Sequence, residues 1–292
     1  MLDPARLTER YHSRGSLTPA DIRRFQNSIL DHHRANPRPM PWRETIDPYA
    51  ILVSEIMLQQ TQVERVRCKY TEFMSAFPDS ATLAAAPLDQ VLRIWQGLGY
   101  NRRAIALQRC AQTIETDFLG IFPLDISQLE SLPGIGPYTA RAMAAFAFGV
   151  AEPLIETNIR TVFIHFFFHE REGVTDREIM PLVAATLDRK NPREWYYALM
   201  DYGVHLKGLH PNPGRRSRHH QRQSRFEGSN RQLRSRILKT VLEYGKITRT
   251  QLSDLSGISE DLACALADDL CREGFLEKNQ LSYRVSNETK KG

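Results

Sequence analysis

Cysteine is scarce. Cys68, Cys110, Cys264 and Cys271 are the four among 292 residues, and none falls between 110 and 264. Their scatter has no metal-ligand spacing, and all four read as free thiols rather than disulfide partners. No stretch is long and apolar enough to cross a membrane. The opening MLDPARLTERYHSRG lacks the apolar core of a secretory signal, so a cytoplasmic protein is expected, nucleoid-associated if prokaryotic. Strand-like alternation is missing from the first two hundred residues. Acidic residues are nearly absent between Lys207 and Arg236, where Glu227 alone faces nine arginines and lysines. That segment carries +8 while the rest of the chain sums to −3, against a total of +5.

What is present is helical. Apolar residues recur at three and four in Ile22, Phe25, Ile29, again in Ile51, Ile56, Met57, and again in Leu88, Val91, Leu92, Trp95. Thr18 and Asp79 suit N-caps, and Pro87, Pro133 and Pro192 mark helix starts or joints. Ile159 to Phe168 (IRTVFIHFFF) is strand-like by composition but continues a helical pattern, and reads as a buried helix. HPNPGRRSRHHQRQSRFEGSN then breaks the pattern as a linker or basic extension. Three amphipathic helices follow, ending in two short alternating runs around Lys278-Asn279, a hairpin signal. Three helices and a β-wing describe a winged helix. Base reading, protein contact and plain support all remain open for it, because its middle helices are poor in positive charge.

The run Leu132 to Ala140, LPGIGPYTA, joins two helices by a tight turn. Pro133 ends what precedes it, and Gly134 and Gly136 permit backbone angles that a Cβ resists. Amides at the start of the next helix would make a seat for a phosphate. An ordinary helix-helix turn is the plainer alternative. A basic segment elsewhere in the same chain favours a nucleic-acid backbone as the shared partner, since lysine and arginine displace its counterions.

PWRETIDPYAILVSEIMLQQTQVERV (41–66), WQGLGYNRRA (95–104), LPGIGPYTARA (132–142), IETNIRTV (155–162) and ALMDYG (198–203) together resemble the helix-hairpin-helix DNA glycosylases, and within them the MutY-type adenine DNA glycosylases. The matches cover roughly residues 20–205. The resemblance implies an all-α, two-lobed fold with duplex DNA in its cleft. It implies a glycosylase domain over 17–206, with a six-helix lobe at about 48–148 and a second lobe from 17–47 plus 149–206. A basic extension at 207–230 and a winged helix at 231–287 complete the expected organisation, with the winged helix as the expected place for a protein partner.

Base excision breaks an N-glycosidic bond, so one carboxyl group must assist the leaving base and a negative charge must steady the oxocarbenium-like sugar. The target base first leaves the stack. The resemblance gives Glu55 the acid/base role; its neighbours Val53, Ile56, Met57 and Leu58 predict partial burial and a raised pKa. It places Gln59, Gln60, Thr61 and Tyr100 against DNA, with Gln59 and Tyr100 wedged beside the vacated site and sensing the opposite base. Gly134 and Gly136 would grip phosphate. Tyr138 stands where bifunctional relatives carry an imine-forming lysine, so a monofunctional enzyme is expected. Glu156 would support the sugar, and Asn158 would orient the carboxylate or a water.

Two departures stand out. Glu156 replaces the family's usual aspartate, and one methylene moves the carboxylate by about an ångström. The four cysteines that hold a [4Fe–4S] cluster in relatives are absent after ALMDYG, so no cofactor is expected. Arg215, Arg216 and Arg218 would take over contact with DNA there. His205, His210, His219 and His220 are a remote alternative for zinc, and the reading is no metal. Asp201 in ALMDYG is read as structural, and as the fallback carboxylate if Glu156 is dispensable. Adenine opposite guanine or 8-oxoguanine is the expected target. The rivals are a thymine or uracil mismatch glycosylase and a non-catalytic damage-binding protein.

Overall fold

The computed structural model describes residues 2–220 and 225–286. In chain order the helices are α1 (Pro4–Arg14), α2 (Pro19–Ala35), α3 (Pro48–Leu58), α4 (Val63–Ala76), α5 (Ser80–Ala85), α6 (Leu88–Trp95), α7 (Arg102–Asp117), α8 (Ile126–Ser131), α9 (Pro137–Phe148), α10 (Thr157–Phe167), α11 (Asp176–Thr186) and α12 (Pro192–Leu209). A C-terminal module follows: α13 (Asn230–Tyr244), β1 (Ile247–Thr248), α14 (Arg249–Ser256), α15 (Glu260–Arg272), β2 (Leu276–Lys278) and β3 (Ser282–Val285). Among the described residues no helix is long and apolar enough to cross a membrane.

Helix ends follow local chemistry. Thr18 and Asp21 form a reciprocal capping box on α2, and Asp79 accepts from the Thr82 amide at 2.7 Å to start α5. Ser229 and Thr248 cap α13 and α14 in the same manner.

The chain divides into two compact units. The first comprises Met1–Ile51, Leu124–Glu130 and Ile135–Arg222; the second comprises Leu52–Pro123, Ser131–Gly134 and Gln223–Gly292. At the heart of the first, α10 is buried on most sides, packed by α1, α2, α11 and α12. Phe25 meets Phe163, Phe166, Phe167 and Trp195 with ring centroids 5.1–5.9 Å apart, mostly edge to face. In the second unit α5 packs on α7 and α4 on α6, around Phe73, Phe77 and Trp95.

The C-terminal sheet has the order β1-β3-β2, all antiparallel. Asn279 makes its hairpin turn: the side-chain oxygen accepts from the amides of Leu281 and Ser282.

The compact units and the expected domains group the chain differently in three places. Helix α9 lies in the first unit, whereas the lobe expected at 48–148 includes it. Residues 225–286 fall in the same compact unit as 52–123, whereas the expected organisation lists 231–287 as a domain of its own. Helix α1, outside the expected domain start at 17, packs on α10 through Thr8 Oγ1, which donates to the Phe166 carbonyl, and through Tyr11 against Phe167 and Phe168. Arg222 and Asn287, included in the expected basic run and winged helix, lie outside the described residues.

Candidate active site

Helix α3 is hydrophobic on nearly all sides, with Leu52, Val53, Ile56 and Met57 almost inaccessible. Glu55 sits among them and is only 7 % exposed, so it is not a solvated surface glutamate. Burying an ionisable carboxyl is costly, and Glu55 is the acid that the second unit buries among its described residues.

Beyond α3 the chain turns sharply. Gln60 adopts φ 55°, as does Tyr100 with φ 48° at the end of the LGY loop, and both are left-handed conformations uncommon outside glycine. One buried guanidinium ties these two turns together. Arg103 donates through Nη1 to the carbonyls of Ile56 (2.8 Å), Met57 (2.8 Å) and Gln59 (2.6 Å). Its Nη2 donates to Thr61 Oγ1 at 2.9 Å, Gly99 O at 2.9 Å and Leu98 O at 3.2 Å. The first three acceptors are carbonyls at the C-terminal end of α3, where a cation is favoured. Burial lowers the Arg103 pKa to about 10, which leaves it charged at neutral pH. Gln59, Gln60, Thr61 and Tyr100 are thus brought onto one edge of the second unit, with Gln60 exposed and the other three half-buried.

In the first unit, Glu156 is the N-cap of α10. Its Oε1 accepts from the amides of Asn158 (2.6 Å) and Ile159 (2.8 Å), and its Oε2 from Asn158 Nδ2 at 3.1 Å. Lys207 Nζ on α12 donates to Asn158 Oδ1 at 2.7 Å and completes the chain of contacts. Burial pushes the Glu156 carboxyl above the usual range, opposed by the two amides and by the charges of Lys207 and Arg160. Gly203 permits this assembly: a Cβ there would collide with the Asn158 carbonyl oxygen, so only glycine lets α12 pass so close to the start of α10. The expected orienting role of Asn158 has a visible geometry, whereas Lys207 and the reason for Gly203 were missed. The available signal was the final glycine of ALMDYG and a lysine four residues further along the same helix face.

At the hairpin, Gly134 has φ 79°, and a Cβ there would lie 2.7 Å from Ala106 Cβ. Gly136 differs from expectation. It is the N-cap of α9 with φ −98° and ψ 178°, angles open to any residue, and a Cβ would meet nothing within 4 Å. Half-buried Tyr138 on α9 shares a shallow depression with Arg141, Glu152, Leu154 and Ile155.

Asp201 is 2 % exposed and held by two arginines and a histidine. Arg43 grips it with two nitrogens at 2.8 and 3.0 Å, Arg38 Nη1 lies at 3.1 Å and His33 Nδ1 at 2.9 Å. Such a set supports a structural role.

The basic segment is not one solvated stripe. Arg215 and Arg218 are exposed, but Arg216 is half-buried, donates to the Phe168 carbonyl at 3.1 Å, and pairs through its backbone with Val174. Arg231, Arg234 and Arg236 contact Tyr100, Glu273 and the Ser256 carbonyl respectively.

A family model described as "HhH-GPD superfamily base excision DNA repair protein" matches residues 53–185. The chain is 33 % identical over 282 residues to the adenine DNA glycosylase of Mycolicibacterium smegmatis, covering 90 % of this chain and 94 % of that one. It is 31 % identical over 189 residues to the thymine/uracil-DNA glycosylase of Pyrobaculum aerophilum, covering 62 % and 82 % respectively. Its fold matches a solved thermostable thymine-DNA glycosylase with a TM-score of 0.56 and 24 % identity, over 63 % of this chain and 86 % of that one. The chain belongs to the HhH-GPD superfamily of base excision DNA repair proteins. Within that superfamily it is a DNA N-glycosylase, a hydrolase of N-glycosyl bonds.

Proposed function

We propose that the protein excises adenine mispaired with guanine or 8-oxoguanine, by hydrolysis and without strand cleavage. The observation that carries this reading is the buried Glu55, one turn before the Gln59–Thr61 segment that Arg103 locks to the LGY loop. The adenine-glycosylase relative, aligned over nine-tenths of the chain, supports the same base. Glu55 donates a proton to the departing base and afterwards takes one from the attacking water. The Glu156 carboxylate offsets the positive charge that develops on the sugar, and Asn158 and Lys207 fix its orientation. Tyr138, a phenol, cannot form an imine with the sugar, which supports a monofunctional enzyme.

A [4Fe–4S] cluster needs thiolate ligands, and none is present in the sequence between Cys110 and Cys264. The chain after α12 does not fit the group. It forms a 3-10 turn at Pro213–Arg216, where a Cβ on Gly214 would lie 2.7 Å from Thr161 Oγ1. We read this as protein packing in place of a cofactor, with exposed Arg215 and Arg218 free to meet phosphate.

Thymine or uracil release is the second reading, favoured by the Pyrobaculum relative. A glycosylase assay on A:8-oxoG, A:G, T:G and U:G duplexes decides between them, with Glu55→Gln and Glu156→Ala as controls. Adenine release should fall at least about a hundredfold in both variants. Release of only thymine or uracil would establish the second reading, and binding without any release would leave a recognition protein.

A further inference from the structure

Tyr100 is held twice. Its backbone is fixed from within by Arg103 and by Trp95, whose Nε1 donates to the neighbouring Gly99 carbonyl at 3.2 Å. Its side chain is held by a residue 131 positions away: Arg231, on the first turn of α13, donates to the Tyr100 hydroxyl and lays its guanidinium 5.3 Å from the ring centroid. Arg103 approaches the same ring at 5.5 Å, so two guanidinium groups contact one phenol.

A second link runs alongside. Glu273, just past α15, accepts from Arg234 Nη2 at 2.7 Å and from Arg102 Nε at 2.8 Å. Arg231 and Arg234 are one turn apart on the same face of α13, and Tyr100 and Arg102 flank the start of α7. The C-terminal module therefore grips the LGY loop at two adjacent points. Tyr100 also holds a left-handed backbone conformation, uncommon for a residue with a Cβ.

We propose that Arg231 is a positioning residue for Tyr100, and that through it the C-terminal module sets how sharply the protein discriminates the base opposite its target. The inference rests on the proposed adenine excision and on the family resemblance that sets Tyr100 against DNA. A guanidinium can bond the hydroxyl and cover the ring at once, which a lysine does only in part. Arg102, Arg234 and Glu273 keep the module attached when Arg231 is replaced, so the effect on Tyr100 separates from loss of the module.

The test uses the full-length chain and the variants Arg231→Met, Arg231→Lys, Tyr100→Phe and the Met/Phe double variant. Single-turnover base release and duplex affinity are measured on A:8-oxoG, A:G and A:T pairs, with thermal melting as a control for folding. Arg231→Met should shrink the preference for mispaired over paired duplex by roughly three- to tenfold, the scale of one hydrogen bond with one cation–π contact, while melting as the parent does. Arg231→Lys should recover part of that preference. The double variant should lose no more than the worse single, because both remove one interaction.

Unchanged preference in Arg231→Met, additive losses in the double variant, or an equal fall on every duplex together with a lower melting temperature would each overturn the proposal. If the parent releases no adenine, the functional reading fails separately, and the ratio of duplex affinities still decides the role of Arg231. A parent that binds all duplexes alike would overturn both.

Discussion

Lys207 Nζ lies 2.7 Å from Asn158 Oδ1, and Asn158 turns its two nitrogens toward Glu156. The lysine therefore acts on the carboxylate both through Asn158 and through its own charge. Burial raises the Glu156 pKa, and Lys207 is among the groups that hold it down. Replacing Lys207 by methionine removes a favourable cation, so the Glu156 pKa rises further. If base release needs the ionised carboxylate, activity declines as pH falls through that pKa, and the acidic limb of the pH profile should move to higher pH in Lys207→Met. At neutral pH the rate should drop roughly ten- to a hundredfold, as for loss of a charge-assisted hydrogen bond, with duplex affinity little altered. A profile superimposable on the parent's would show that Glu156 does not take part in ionised form.

The two hairpin glycines should separate stability from binding. Gly134→Ala forces a Cβ into a left-handed backbone position and against Ala106, and should cost about 1–3 kcal/mol in chemical denaturation. Gly136→Ala meets no such obstacle and should leave stability within about 0.5 kcal/mol. If the start of α9 seats a phosphate, the added methyl should nonetheless weaken duplex binding, read as a shift in a salt-titrated binding curve. Equal stability loss in both variants would contradict the geometry described.

How far the sequence could be read tracks how local the chemistry is. Thr18 and Asp79 cap the helices they were expected to cap, and the aromatic run after Asn158 is the buried helix α10, because caps and helical periodicity act within a few residues. Helix α1 was missed because only Leu7 of its eleven residues is buried, too little to write a pattern. Strand β1 spans two residues and exists only through pairing with Ser282 and Tyr283. Arg103 was unreadable for another reason: its acceptors on the Ile56–Thr61 segment are carbonyls and a hydroxyl 42 to 47 positions back, and main-chain oxygens leave no trace in composition. The basic segment misled in the same way. As a string it reads as one track for a polyanion, yet Lys207, Arg216, Arg231, Arg234 and Arg236 each find an oxygen within the protein. Charge counts report what could meet DNA, whereas burial decides what is left to do so.

Asp201 provides the last discrimination, between support and chemistry. Its carboxylate is almost fully buried, compensates Arg43 and Arg38 and contacts His33 Nδ1, with Arg43 also stacked 4.5 Å from the Tyr197 ring centroid. Asparagine fills the same volume but brings no negative charge, and its amide end presents donors to a guanidinium that has only donors. Breaking a buried ion pair from one side typically costs 3–5 kcal/mol, because the partner cation stays buried without compensation. Asp201→Asn should therefore lower stability by about that amount in urea denaturation. The folded fraction, assayed at low temperature, should release base within a few-fold of the parent rate, since none of these contacts involves Glu156 or Asn158. The opposite pattern, an unchanged denaturation midpoint with release abolished, would move the sugar-stabilising role from Glu156 to Asp201, the carboxylate that ALMDYG already offered as the substitute.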